Sequence, residues 1–164
     1  MKDKVILGID PGYARVGWGV ISASGNDLRG LGYGCFETSP SEEMGQRLAL
    51  IDRELRKVID QYKPTDIAVE ELFFGRNVTT AIKVSHARGI IMLRAVEHTG
   101  RIFEYKPNQI KLSITGAGHA DKHQMQFMVQ RLLGLSEKPK PDDAADALAV
   151  AITHASVNPN FSSR

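Results

Sequence analysis

The sequence predicts an α/β fold: a mixed five-stranded sheet, with three antiparallel strands followed by parallel strands, flanked by helices. The first forty residues hold three strand-like runs separated by turn residues. The remainder alternates segments of helical periodicity with short apolar runs of strand length. A chain of 164 residues fits one compact domain. We expect that domain over residues 1–157, followed by a flexible C-terminal tail over residues 158–164.

The N-terminal third is expected to form an antiparallel meander. Lys4–Asp10 is an apolar run that ends at Pro11 and Gly12, which is typical of a strand stopped by a turn. Residues 15–23 and 28–38 have the composition of two further strands. The intervening Ser-Gly-Asn-Asp supplies hairpin-turn residues, so these two strands should pair.

Two long helices with a strand between them are expected next. Ser41 is interpreted as the N-cap of the first helix, whose apolar residues recur at 44, 48, 51, 55, 58 and 62 before Pro64 ends it. Residues 66–71 are predicted to be a buried strand. The second helix, from Asn77 to about His98, is apolar on more than one side. Either it is central to the core or one side meets a partner subunit.

The C-terminal part is predicted to contain one strand, at 101–105, and three helices. Pro107 can begin a short helix at its first turn. Residues 120–133 form the next expected helix, which stops at Gly134. After a connector stiffened by two prolines, residues 142–155 form an Ala-rich helix, with Asp142 interpreted as its N-cap.

The composition narrows the class of protein. No apolar run approaches the roughly 20 residues that a membrane span needs, and the N-terminus does not resemble a signal peptide. Cys35 is the only cysteine, so we expect no intrachain disulfide and a cytoplasmic location. The net charge is only +2, yet residues 72–141 hold eleven Lys or Arg against four acids. This surplus fits polyanion binding and fits a solvated basic surface equally well.

Carboxylates occur at three places where the fold alone gives little reason for them. Asp10 ends the first strand, Glu70 ends the fourth, and Asp143 and Asp146 share a face of the last helix. If strands one and four are adjacent, their acids meet at one sheet edge. Clustered carboxylates are costly without a cation, and Mg²⁺ prefers oxygen ligands. Two such ions about 4 Å apart could hydrolyse a phosphodiester. A zinc site is not indicated, because His119 and His123 lack an evident third ligand.

Most of these acids also have a structural explanation, whereas Asp146 is harder to dismiss because its neighbours are apolar. Asp10 could cap the Pro-Gly turn, and of the two glutamates that follow the fourth strand's apolar run, Glu71 could be the solvated one. Asp143 could favour the helix dipole. Asp142, at i, i+4 to Asp146, is an alternative to Asp143, although the i, i+3 relation favours Asp143.

Four segments together carry a resemblance to a known family. They are GIDPG (8–12), AVEELFFGRN (68–77), ARGI (87–90) and DDAADALAVAITH (142–154). In this order and spacing they resemble the bacterial RuvC family of Holliday-junction resolvases, nearly end to end. GIDPG alone is weak, because actin-like ATPases and sugar kinases have similar turns, whereas the last segment is highly specific.

The resemblance implies a ribonuclease H-like fold and a homodimer that makes paired nicks in opposing strands of a four-way DNA junction. It implies two Mg²⁺ ions per subunit, which Mn²⁺ may replace, and partnership with the RuvAB branch-migration complex. The family's four acidic positions fall on Asp10, Glu70, Asp143 and Asp146, with Asp10 bridging the metals. The second helix becomes the candidate dimer interface.

The resemblance also implies DNA contacts. Phe73 matches an aromatic that stacks at the opened crossover, and Lys111 and Lys122 match basic positions near the scissile phosphate. Arg76 is a further candidate for phosphate contact. The simpler interpretations, without DNA contact, are core or dimer packing for the phenylalanine and a solvated surface charge for each lysine.

Three other functions remain open from the sequence. A related nuclease could act on RNA or an RNA–DNA hybrid, and a non-catalytic junction-binding protein could use the same fold. An ATPase suggested by GIDPG normally needs a longer, duplicated domain than 164 residues supply.

Overall fold

A computed structural model of the chain describes residues 3–71 and 77–157. The tail predicted over 158–164 lies outside these residues. Within them the elements are, in chain order, β1 (Lys4–Asp10), β2 (Arg15–Ser24), β3 (Asp27–Glu37), α1 (Met44–Tyr62), β4 (Asp66–Glu70), α2 (Val78–Thr99), β5 (Phe103–Tyr105), α3 (Pro107–Thr115), α4 (Lys122–Leu132) and α5 (Asp142–Val157).

The strands form one mixed sheet in the order β3-β2-β1-β4-β5. β1, β2 and β3 pair antiparallel as a meander, whereas β4 lies parallel to β1 and β5 parallel to β4. The predicted mixed five-stranded sheet is therefore confirmed. Because β1 and β4 are adjacent and parallel, their carboxyl ends lie at the same edge.

Helices cover both faces of the sheet. The alternation of side chains along β1 sends Leu7 and Ile9 to a core shared with α1 and α2, and Ile6 to a core shared with α3, α4 and α5. Both cores contain side chains that are fully buried. Asp10 has the same parity as Ile6, so it belongs to the α5 side of the sheet.

The last helix lies unusually close to β1 and β2. A Cβ atom built on Gly8 would stand 2.1 Å from the carbonyl oxygen of Ala147, and one on Gly17 would stand 1.9 Å from that of Asp143. Any larger residue at these two positions would push the helix away. The small side chains of α5 and the glycines of β1 and β2 together allow this close contact between helix and sheet.

The far end of α5 is fixed by buried polar groups. His154 is 1% exposed, and its Nδ1 lies 2.8 Å from the hydroxyl of Tyr105 on β5. Its Nε2 lies 3.4 Å from the carboxylate of Asp66, the first residue of β4. The same two elements, β4 and α5, carry candidate acids at their opposite ends, so this contact fixes their relative position.

Two predicted helix starts were wrong. α1 begins at Met44 with Glu43 as its N-cap, and Ser41 instead hydrogen bonds to Ser39. Asp142 is the first residue of α5 rather than its cap, because the carbonyl of Pro141 accepts from the amide of Ala144. Among the described residues, no helix combines the length and apolar character needed to cross a membrane.

Candidate active site

Asp10 and Glu70 lie side by side at the edge of the sheet. β1 and β4 are paired so that Ile9 faces Val69, and each acid is the next residue of its strand. The two carboxyl groups share a hydrogen bond. A hydrogen bond between two carboxyl groups requires a proton on one of them. The fold therefore brings together two acids that are sixty residues apart in the chain.

This pair holds its proton strongly. Burial, and then the neighbouring carboxylate of Glu70, raises the pKa of Asp10 to about 9. Burial also raises the pKa of Glu70, while the hydrogen bond from Asp10 and the charge of Lys111 oppose that rise. The two acids titrate as one unit, and at neutral pH that unit keeps one proton. Two adjacent carboxylates repel each other when both are charged, so the pair favours any cation that can replace the proton.

The first turns of α5 bring further acids to the same place. Burial raises the pKa of Asp146 to about 6, with the charge of Lys122 opposing the rise and that of Glu70 adding to it. Asp143 lies one turn earlier, 3.9 Å from Arg15, and its charge also raises the pKa of Asp10. Both acids therefore interact electrostatically with the strand-end pair.

Asp142 is engaged elsewhere. Its carboxylate lies 3.0 Å from the ammonium of Lys122 and accepts a hydrogen bond of 2.7 Å from Gln126. These contacts lower the pKa of Asp142 and raise that of Lys122. Of the two neighbouring acids that the sequence left as alternatives, Asp143 is the one that adjoins Asp10.

A cavity of about 330 Å³ opens beside the acids. Glu70 and Asp146 line one side, and Lys111 and Lys122 contribute cations. The remaining lining is largely apolar and includes Ile110 and Met125. The cavity thus combines carboxylates, two ammonium groups and a poorly hydrated wall, which is a suitable environment for a phosphate group and a cation.

Two contacts hold the strand ends in place. Arg88 of α2 donates to the backbone carbonyl of Glu70 at 2.7 Å and pairs with Glu104 at 2.8 Å. The amide of Glu71 donates to the carbonyl of Tyr105 at 2.8 Å. The end of β4 is therefore bound from both sides, and this leaves the Glu70 side chain free to face the cavity.

The loop after Asp10 is clamped as well. The hydroxyl of Thr38 donates to the carbonyl of Tyr13 at 2.6 Å, and Arg47 donates to that hydroxyl at 2.9 Å. Arg47 is 7% exposed, and its guanidinium carbon lies 4.8 Å from the centre of the Tyr13 ring. This buried cation supports the turn that follows the first acid.

The donor set is chemically suited to a hard divalent cation. Asp10, Glu70, Asp143 and Asp146 offer only carboxylate oxygens, the ligands that Mg²⁺ and Mn²⁺ prefer. Within residues 3–71 and 77–157, no three His, Cys, Asp or Glu side chains converge closely enough to form a ready metal cage. The carboxylates of Asp10, Glu70, Asp143 and Asp146 are the groups that would hold such a cation, and metal binding would compete with the proton on Asp10.

The other expected site residues fall into two groups. Lys111 and Lys122 line the cavity beside the acids. Phe73 and Arg76 lie outside the described residues. Sequence reasoning missed Arg15 and Arg88, which touch Asp143 and Glu70. Arg88 lies in the ARGI segment, which could have indicated a role for this residue. The only sequence feature that could have indicated Arg15 is its position in the turn after Asp10.

Comparison with known proteins gives a consistent set of matches. A family model described as Crossover junction endodeoxyribonuclease RuvC matches residues 6–154. Proteins of that description from Alkaliphilus oremlandii and Heliobacterium modesticaldum are 52% and 53% identical, over 92% and 90% of this chain and 92% and 91% of their own. The structure of T. thermophilus RuvC in complex with Holliday junction substrate matches with a TM-score of 0.87 and 38% identity, over 94% of both chains.

Proposed function

The chain belongs to the RuvC family of crossover junction endodeoxyribonucleases, and from that membership we propose that it resolves four-way DNA junctions by symmetric, metal-dependent nicks. One structural observation supports the proposal beside the family relationship: Asp10 and Glu70 end adjacent parallel strands, and Glu70 and Asp146 line a cavity that Lys111 and Lys122 also line. Structure-selective cleavage in recombination and repair follows as the biological role.

Each candidate acid has a proposed role. Asp10, Glu70, Asp143 and Asp146 would together hold two Mg²⁺ ions, with Asp10 supplied by β1, Glu70 by β4 and the other two acids by α5. Two bound ions supply an activated water and stabilise the leaving oxygen. Mn²⁺, which accepts the same oxygen ligands, would be able to substitute. Asp10 must give up its proton for this chemistry, because a protonated carboxyl is a poor metal ligand.

The lysines beside the acids suit a role with phosphate. Lys111 lines the cavity and its charge already acts on Glu70. Lys122 is held by Asp142 at 3.0 Å, but both side chains are 58% exposed, so this pair can be exchanged for a phosphate contact at little cost. We assign both lysines to the scissile phosphate, where they would offset the charge that develops during cleavage. Phe73 and Arg76 stay candidates for stacking and phosphate contact.

A homodimer would present one site to each of two equivalent strands. One side of α2 is apolar and exposed: Val78 is 65% exposed, Ile82 51% and Leu93 50%, whereas Ala87 and Ile91 on the opposite side are fully buried. Single exposed apolar residues are ordinary, but three on one side of a helix, over about four turns, are typical of an interface. We assign this side of α2 to the two-fold contact.

The cellular setting follows from the same proposal. The RuvAB branch-migration complex would deliver the junction, and the site of action would be the cytoplasm, where bacterial DNA is found.

The substrate claim is tested by competition. The protein is mixed with a mobile four-way junction in the presence of equal amounts of linear duplex, RNA duplex and RNA–DNA hybrid, with Mg²⁺. We expect nicks in the junction alone, at symmetric positions in two opposing strands when all four strands are mapped. Equal cleavage of every substrate, or preference for the hybrid, would contradict the proposal. Binding without cleavage would indicate a scaffold.

A further inference from the structure

A second basic cavity, of about 800 Å³, borders the candidate acids on the side away from Glu70. Its lining residues are Arg15, Lys122, Lys140, Pro141, Asp142 and Asp143. Lys122 lines both this cavity and the first one, so the two are neighbours. The lining therefore contains three cationic side chains and two carboxylates, and the carboxylates are those of Asp142 and Asp143 at the start of α5.

The positions of the two cavities follow from the sheet order. β1, which carries Asp10, lies between β4 and β2. Glu70 ends β4 and lines the first cavity, whereas Arg15 begins β2 and lines the second. The acids therefore lie between two basic cavities. A DNA strand with one phosphate at the acids could place a neighbouring phosphate in each cavity, because its phosphates continue on either side.

The cations of the second cavity are available to a ligand. Lys140 is exposed, and no carboxylate among residues 3–71 and 77–157 forms an ion pair with it. Arg15 is 55% exposed, 3.1 Å from Glu37 and 3.9 Å from Asp143. Exposed ion pairs of this kind contribute little to stability and exchange readily. The planar guanidinium of an arginine matches two phosphate oxygens at once, so phosphate is a competitive partner.

We propose that Arg15 and Lys140 form a second phosphate subsite, which binds the backbone phosphate next to the scissile one on the β2 side of the acids. Lys111 and Lys122 then serve the scissile phosphate itself. This inference rests on the function proposed above, and it assigns the direction in which the cleaved strand crosses the protein: from the α3 side of Glu70 toward the start of β2.

The first test measures junction binding against salt concentration without divalent metal, so that no cleavage occurs. Arg15→Gln and Lys140→Gln are compared with Arg29→Gln and Lys57→Gln, matched changes at exposed residues far from the cavity. Each lost phosphate contact lowers the slope of log K against log salt by about one unit. We expect that loss for each cavity variant and for neither control. Unchanged slopes in both cavity variants would overturn the proposal.

The second test locates the phosphate. A neutral methylphosphonate replaces, in separate junctions, the phosphate on either side of the nick. For the wild type, one of these substitutions should weaken binding more than Lys140→Gln alone does, because it removes the charge that both Arg15 and Lys140 contact. In the Arg15→Gln/Lys140→Gln double variant the same substitution should cause little further loss, because both contacts are already absent. Additive losses at both positions in the double variant would show that the two residues contact neither neighbour and would contradict the assignment.

The proposed function and the proposed subsite are tested separately. If the wild type does not bind or nick the junction, the proposed function is wrong. If the wild type does both and the cavity variants behave like the controls, only the subsite is wrong. Lys140→Gln is the decisive variant, because Arg15 also contacts Asp143 and its loss could act through that acid, whereas Lys140 forms no ion pair with an acid in the part of the chain that the structure describes.

Discussion

The carbonyl oxygen of Asp143 lies 1.9 Å from the point that a Cβ atom on Gly17 would occupy. Gly17 is also the register partner of Asp10 in the antiparallel pair of β1 and β2. One glycine therefore lets the helix that carries two candidate acids approach the strand that carries a third. The arrangement of the candidate acids thus depends on the absence of a side chain at residue 17.

Gly17→Ala is expected to damage both stability and cleavage. The added methyl group meets backbone on a buried helix, so the cost should be about 1–3 kcal/mol, typical of overpacking, and α5 should shift away from Asp10. Thermal unfolding and junction nicking are the measurements. Gly45→Ala is the control, because nothing lies within 4 Å of a Cβ atom there. A Gly17→Ala protein with unchanged unfolding and nicking would contradict this account of the contact.

Asp146→Asn should stabilise the metal-free protein above pH 6. The folded-state pKa of Asp146 is raised from 3.8 to about 6, so its proton favours folding at low pH, and that contribution is lost as pH rises from about 4 to 6. Asparagine does not lose a proton, so at pH 8 the free energy of unfolding of the variant should exceed that of the wild type by roughly 1–2 kcal/mol. Thermal unfolding measures this as a higher unfolding temperature. Near pH 4 the difference should vanish. A gap that does not change with pH would rule out this explanation, and Asp60→Asn serves as a surface control.

Lys111→Met should shift the acidic limb of the pH–rate profile to higher pH. The charge of Lys111 lowers the pKa of Glu70, and its removal lets that pKa rise further. More of the Asp10–Glu70 unit is then protonated at any given pH, so nicking needs a higher pH. The rate of nicking between pH 5.5 and 9 provides the measurement, with Lys57→Met as the matched control. An acidic limb at the wild-type position would show that Lys111 does not act on this pair.

Leu93→Asp should separate the dimer. A buried aspartate in a two-fold contact faces its own copy, and like charges without a partner are strongly unfavourable. Sedimentation or light scattering should report a monomer, and paired nicks should become single nicks. Phe127→Asp is the control, because Phe127 is equally exposed, at 48%, but lies on α4. If both variants keep the wild-type mass, α2 is not the interface.

Much of the fold was predictable from local pattern. The apolar runs and turn residues located the strands within one or two residues, because alternation and turns are properties of short segments. The wrong N-caps, Ser41 and Asp142, were also local predictions. Ser41 forms its hydrogen bond with Ser39, and for Asp142 longer-range contacts prevail, because it binds Lys122 and Gln126. Capping rules describe an isolated helix end and do not include a competing cation.

The candidate site was predictable only in part. Order and spacing led to Asp10, Glu70, Asp143 and Asp146, but the proton shared by the first two depends on strand pairing across sixty residues. The glycines that admit α5 gave no signal of their own, because their role exists only once β1 and β2 are paired. Arg88 and Arg15 act through contacts with Glu70 and Asp143 that no spacing rule contains.

We propose that carboxylates from distant parts of the chain hold divalent ions against a junction phosphate. Asp10→Asn tests this proposal when it is assayed on a four-way junction for binding and for nicking, each with Mg²⁺ and with a chelator. We expect the wild type to nick only with Mg²⁺, and the variant to bind at least as tightly as the wild type but not to nick under either condition. Nicking by the variant, or by the wild type in chelator, would contradict the claim.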